Sequence, residues 1–274
     1  RVELKNLVSH FGDSQKITDD NRKITLDGIV FRQDCSKQDS IIYIKAYQIP
    51  VDKELINAMP PSQKEFFDKL DIDADAAAEV EVFPNLEEER FWDYSVNVIV
   101  DGNHLVYSDF PVQMNDIHLT AKIQKEQIEL ERFEGRTSGG KVLMSGNLLP
   151  KGADALSPGV SLNLNLEAFN FNETFWEEAG KALRGHVGKL RADGRMNVTG
   201  RLTRNMPQEN DMSTDLTIQC SNNPIRWDHT QLGQAEGQIC LRDDQVVFEE
   251  FSLNDVPLES VPEELLKGKL KSIY

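Results

Sequence analysis

Apolar and polar residues alternate with a period of two along most of the chain. Val160, Leu162, Leu164 and Leu166 form one such run. Val96, Val98 and Val100 form a second, and Ile117, Leu119, Ala121 and Ile123 a third. Successive side chains of a strand point to opposite faces, so this period predicts strands with one dry and one wet face. Asp27-Gly28, Asp101-Gly102, Gly139-Gly140 and Lys151-Gly152 read as turns between strands. Short, closely spaced strands joined in this way predict an antiparallel meander.

The pattern also recurs along the chain. Residues 42–82 lie over 162–202 at an offset of 120 without a gap. Ile42, Ile44 and Ala46 fall on Leu162, Leu164 and Leu166, while Ile49 and Val51 fall on Phe169 and Phe171. Leu55 and Ile56 meet Phe175 and Trp176, and Ala76, Ala78 and Val82 meet Met196, Val198 and Leu202. Residues 116–133 continue over 234–251 at an offset of 118, and Val2, Leu4 and Leu7 correspond to Ile128, Leu130 and Phe133 at 126. Apolar positions persist while their polar neighbours drift. The expected organisation is a first β-repeat over 1–127, a second over 128–245 and the start of a third over 246–274. The chain opens on a strand pattern, which reads as a piece of something longer.

Each unit is expected to carry a helical insert, at about 52–70 and about 172–187. Asp52 can cap a short helix to Met59, ended by Pro60-Pro61. Ser62 with Glu65 forms a capping box for a second helix through Leu70. Asn172 caps a helix containing Phe175, Trp176, Ala179 and Leu183, whose aromatics should pack on the sheet.

The totals narrow the classes of function. A chain of 274 residues can bury a core. A net charge of -16 opposes binding to phosphate backbones and to anionic headgroups, so nucleic acid is not an expected partner. No run approaches the ~18 apolar residues of a membrane-spanning helix. Cys35, Cys220 and Cys240 have no metal-ligand spacing. Cys240 alternates out of phase with Ile239 and Leu241, so it should face away from Cys220, and a bridge between the two is disfavoured.

Candidate chemistry is sparse. Gly135 to Lys141 fits a phosphate loop, but Val142 replaces the magnesium-ligating hydroxyl and a strand pattern follows where a helix is required. A hairpin turn is the better reading. Asp71, Asp73 and Asp75 begin like a calcium loop, yet Ala76 and Val82 occupy the positions that need glycine and glutamate. Their counterparts include Arg191 and Arg195, as expected of a solvated strand face. The acidic run Glu87-Glu88-Glu89 reads as a solvent-facing connection. His10, His104, His118, His186 and His229 are scattered and no serine elbow is present. No catalytic constellation, metal site or cofactor is expected.

The dry face remains. A closed sandwich core is the usual fate of alternating strands. Small residues within the face (Ala74, Ala76, Ala78, Gly194, Gly200) favour space beneath the sheet instead. Some 14 strands at ~4.8 Å would extend roughly 65 Å, and a sheet of that length must twist and curl, which gives an apolar trough.

Several segments carry a family resemblance. They are Val106-Tyr-Ser-Asp-Phe110-Pro111-Val112, Ile128-Glu-Leu130-Glu-Arg-Phe133-Glu-Gly135, Lys141-Val-Leu-Met-Ser-Gly146-Asn-Leu148, and Ile49-Pro50-Val51-Asp52 through Met59-Pro60-Pro61 to Leu70. The pattern resembles the AsmA-like superfamily, which includes TamB and YhdP, over most of the chain. The resemblance implies an elongated, curled antiparallel sheet (a β-taco or repeating β-groove), mainly β with short helical inserts. It implies a place on the periplasmic side of a bacterial envelope, an inner-membrane anchor outside this segment, and lipid transfer between membranes. The expected partners are phospholipid or another acyl lipid and further repeats of the same chain. The expected groove lining is Ile44, Val96, Val98, Val100, Ile117, Leu119, Ile123, Ile128, Leu130, Val160, Leu162, Leu164, Leu166, Met196, Val198, Leu202, Ile239 and Leu241. The alternative is a non-catalytic structural or interaction module with a closed β-sandwich core.

Overall fold

The computed structural model describes residues 2–10, 23–30, 41–58, 68, 70–85, 92–107, 110–125, 127–137, 140–149, 159–173, 175, 190–204, 213–227, 230–242 and 245–254. These form one open antiparallel sheet and almost no helix. The strands are β1 (Val2–His10), β2 (Lys23–Val30), β3 (Ile41–Pro50), β4 (Leu70–Pro84), β5 (Trp92–Tyr107), β6 (Phe110–Gln124) and β7 (Ile128–Arg136). They continue with β8 (Lys141–Leu149), β9 (Gly159–Phe171), β10 (Leu190–Ala192), β11 (Gly194–Arg204), β12 (Ser213–Trp227), β13 (Thr230–Arg242) and β14 (Gln245–Asn254). Among the described residues, helix α1 (Lys53–Ala58) follows β3, and Glu173 and Phe175 after β9 are also helical.

Each strand pairs with the next in sequence, so the sheet is the expected meander. The exception is β10, which pairs with β12 and is separated from β11 only by Asp193. Buried Asn223 ties this break together. Its side-chain N–H donates to the carbonyls of Asp193 (3.0 Å) and Arg195 (3.2 Å), and its oxygen accepts from the Ser221 N–H at 2.7 Å.

Three expectations are corrected. The strands are not short: β5 has 16 residues, and β4, β6 and β12 have 15 each. Asp27-Gly28 and Asp101-Gly102 are not turns but lie inside β2 and β5. A Cβ on Gly102 would stand 2.7 Å from the Ala74 Cβ, so close approach of β4 is what requires glycine there. Leu70 does not end a helix but opens β4, paired with Tyr107, because its alternation with Ile72 and Ala74 follows the strand period. Met59 to Glu65, Glu87 to Glu89, Lys151-Gly152 and Trp176 to Leu183 lie outside the described residues.

Local details recur along the sheet. Two residues of β3, Tyr47 and Gln48, oppose one of β4 between the pairs Ala46–Ala78 and Ile49–Ala76. In β9 the same bulge lies between the pairs Leu166–Val198 and Phe169–Met196. Gln48 and Ala168, 120 residues apart, have φ of 52° and 48°. Asp52 accepts from the Leu55 N–H and Asn172 from the Phe175 N–H, both at 2.9 Å. In β1 a bulge separates Leu4 from Leu7, and in β7 one separates Leu130 from Phe133. A bulge shifts strand parity by one, which is why Ile44, Ala46, Ile49 and Val51 do not follow a strict alternation.

The best-buried part of the dry face runs from β6 to β14. Ile225, Ala235, Ile239 and Ala192 are at most 1 % exposed and belong to one apolar cluster with Phe133, Leu166, Met196 and Ile218.

Candidate functional site

Strand pairing sets the predicted lining residues side by side in rows. Ile44, Val80, Val96, Ile123, Ile128, Leu148 and Val160 are successive cross-strand partners from β3 to β9. The next row is Ala46, Ala78, Val98, Ala121, Leu130, Gly146, Leu162 and Leu202. A third runs from Ile49 through Ala76, Val100, Leu119, Phe133, Met144, Leu164, Gly200 and Leu216 to Leu241. Val142, Leu166, Val198, Ile218, Ile239 and Phe248 make a fourth. Ile117 opposes Gly102, and Met196 opposes Phe169. The expected lining residues thus share one face. Ile117, Leu166, Met196, Val198, Ile239 and Leu241 are buried, and the other twelve are half-buried.

Two parts of this face differ in filling. At the end of β9, Phe169, Phe171 and Phe175 pack edge to face, with ring centroids 4.7–5.4 Å apart. This geometry suits aromatic quadrupoles, and Phe175 takes the packed position expected of it. At the corresponding end of β3, a groove of about 650 Å³ opens between α1 and β4, β5 and β6. Its apolar lining includes Val51, Ile56, Ile72, Ala74 and Ile117. Hydrophobic alternation alone misses this groove. The signal that marks it is the exchange of Ile49, Val51 and Leu55 for three phenylalanines 120 residues later.

The sequence motifs resolve into ordinary strand chemistry. Thr137 N–H donates to the Gly140 carbonyl at 2.9 Å between β7 and β8, so the phosphate-loop lookalike is a hairpin turn. Its Lys141 reaches Glu134 at 2.8 Å. Asp71, Asp73 and Asp75 occupy alternate exposed positions of β4. His104 lies 3.5 Å from Asp71, and His118 Nδ1 lies 2.7 Å from Asp101. Among the described residues, no group of His, Cys, Asp or Glu could hold a metal ion, and no helix is long and apolar enough to cross a membrane. Cys220 and Cys240 are buried free thiols, the first beside the Met196 sulfur at 3.7 Å and the second beside the Thr217 hydroxyl at 3.8 Å. Burial raises the Cys220 pKa to about 11, which leaves it an unreactive thiol.

On the wet face, Glu134 accepts hydrogen bonds from Lys141 and Arg132, which lower its pKa from 4.5 to about 2. A depressed carboxylate supports the fold above its unfolded pKa and loses that support as pH falls through its folded value. NMR titration should therefore find Glu134 ionised down to about pH 2. The Lys141→Met variant should return its midpoint toward 4.5. An unchanged midpoint would show that Lys141 does not hold the carboxylate.

No family model matches the chain, nor does any curated protein or solved structure.

Proposed function

We propose that this chain is a segment of an AsmA-like envelope protein whose dry face forms an apolar groove that holds or conducts acyl lipid. Apolar residues run in register across the strands: the row from Ile49 to Leu241 crosses ten of them with only Ala76 and Gly200 as small members. That continuity is the observation that carries the reading. An acyl chain moving across similar neighbouring sites meets no single deep trap. Each sheltered methylene contributes ~0.8 kcal/mol, so a 16-carbon chain would gain at most about 13 kcal/mol. No side chain needs to do chemistry.

The recurrence at 120 residues supports a repeat architecture: β1 to β6 form one unit, β7 to β13 a second, and β14 begins a third. The shared bulges, positive-φ residues and helix caps argue for it more strongly than the apolar pattern alone. Such units, curled along their length, would make the groove continuous between copies. On this proposal, as the resemblance implies, it would work on the periplasmic side of a bacterial envelope, with a membrane anchor supplied by another segment.

The tight packing around Ile225, Ala235 and Ile239 favours a second reading, a structural or interaction module with a closed core. Half-buried Leu164 separates the two. If the face is a groove, Leu164→Asp keeps the strand content by circular dichroism while native mass spectrometry shows loss of the phospholipid that accompanies the wild type. If the face is a closed core, the variant does not fold. A wild-type protein, gently purified and free of lipid, overturns the lipid reading outright.

A further inference from the structure

The groove beside α1 and its counterpart at the end of β9 differ in two ways together. The second copy supplies its own filling, because Phe169, Phe171 and Phe175 stand where the first copy has Ile49, Val51 and Leu55. The chain thus shows that apolar matter fits this place, and in the first copy about 650 Å³ is left for it. That volume lies within the usual range for small-molecule sites, ~300–1,000 Å³.

The second difference is charge. Asp52, Asp71, Asp73, Asp75, Asp101 and Asp116 line the open groove. At the filled place their counterparts are Asn172, Arg191, Asp193, Arg195, Ser221 and Gln234. The one retained acid, Asp193, is bonded to Arg226 at 2.5 Å. Among the described residues, the full cations around the open groove are Lys53, in its lining, and Arg136, 3.9 Å from Asp116. His104 and His118 stand beside Asp71 and Asp101, so six aspartates share the rim with two full charges of opposite sign. The rim carboxylates reach water: the Asp71, Asp101 and Asp116 side chains are 69–85 % exposed. An apolar floor below an anionic rim complements an alkyl chain that bears a cation, and it repels one that bears an anion.

We propose that this groove binds the head end of an amphiphile carrying an ammonium group, with its first methylenes against Val51, Ile56 and Ile72 and the cation among the rim aspartates. The inference rests on the lipid reading above and narrows its ligand to ammonium-headed lipids.

Calorimetric titration of the full chain with dodecyltrimethylammonium, below its micelle concentration, tests it. Saturable binding of one molecule per chain is expected, and dodecyl sulfate should bind more weakly by about tenfold or more. Asp73→Asn with Asp75→Asn changes only exposed side chains and should weaken dodecyltrimethylammonium about tenfold. Ile49→Phe, Val51→Phe and Leu55→Phe together should abolish binding by copying the filled place. If that triple variant does not fold, the double aspartate variant still decides. Absence of saturable binding overturns the proposal, as does equal affinity for dodecyl sulfate or an unchanged affinity in the double variant. Lipid-free wild-type protein overturns the conduit reading separately. Lipid-bound protein with a failed titration overturns only the ammonium site.

Discussion

Ile239→Asp is expected to unfold the protein. Ile239 has no exposed surface, and Ile218 and Phe248 flank it on the neighbouring strands. Removing the isoleucine forfeits about 1.5–3 kcal/mol of burial. The carboxylate must then be desolvated with no cation in the apolar cluster to pair with it, or take up a proton at neutral pH. Together these costs are about 4–6 kcal/mol. A domain of ordinary stability has ~5–15 kcal/mol in total, so most or all of it is lost. Ile99→Asp is the control: Ile99 lies on the opposite face of β5 at 45 % exposure and should change stability by no more than about 0.5 kcal/mol. Urea unfolding of both variants, followed by circular dichroism, checks the contrast. Equal midpoints for the two would mean that the dry face is not a core around Ile239.

The contrast also explains which parts of the fold were legible in the sequence. Strand parity assigns Ile239 to the dry face, and Ile99, out of step with Val98 and Val100, to the wet one. Period two is written into every strand, so the shared face of Ile44, Val98, Leu164 and Ile239 needs only local sequence. Strand breaks are harder to read. Asp-Gly serves both a tight turn and a strand interior, and Asp101-Gly102 is the second: it pairs regularly with Asp75 and Ala74, and β4 crowds Gly102 rather than the chain reversing there. Leu70 falls where a capping box and a strand alternation overlap, and cross-strand pairing with Tyr107 decides in favour of the strand. Pairing partners are remote in sequence, so no local rule carries that information.

The groove was the least legible feature. Its walls come from β3, α1, β4, β5 and β6, and none of these alone has an unusual pattern. It emerges only when the two halves are compared and bulky residues are found on one side alone. Small residues on the dry face were a poor guide by comparison. Ala74 lines the groove, whereas Gly200 is small because the backbone of β12 comes close to it within the sheet.

Gly200→Ala should be nearly as damaging as a charge in the core, for a reason of backbone geometry. Gly200 has φ of 152°, and a Cβ there would sit 2.0 Å from the Asp215 carbonyl oxygen and 2.7 Å from the Leu216 Cα. Both atoms belong to the backbone of β12, so no side-chain rotation relieves the clash. Gly146 and Gly237 face the same obstruction in β8 and β13. Either the strand pair opens around Gly200–Leu216 or Gly200 leaves its backbone well. Strain in a region reserved for glycine and overpacking each cost about 1–3 kcal/mol, which gives about 2–6 kcal/mol for the two together. Gly135→Ala provides the comparison, because its Cβ would meet Met114 and Phe133 at 3.6 Å, an ordinary contact. That variant should stay within about 0.5 kcal/mol of the wild type. Urea midpoints measured at constant slope separate the two. The Gly200 position lies in the row between Leu164 and Leu216, so its loss would also interrupt the apolar path. If Gly200→Ala proved as mild as Gly135→Ala, then the backbones of β11 and β12 would not approach each other this closely at Gly200–Leu216.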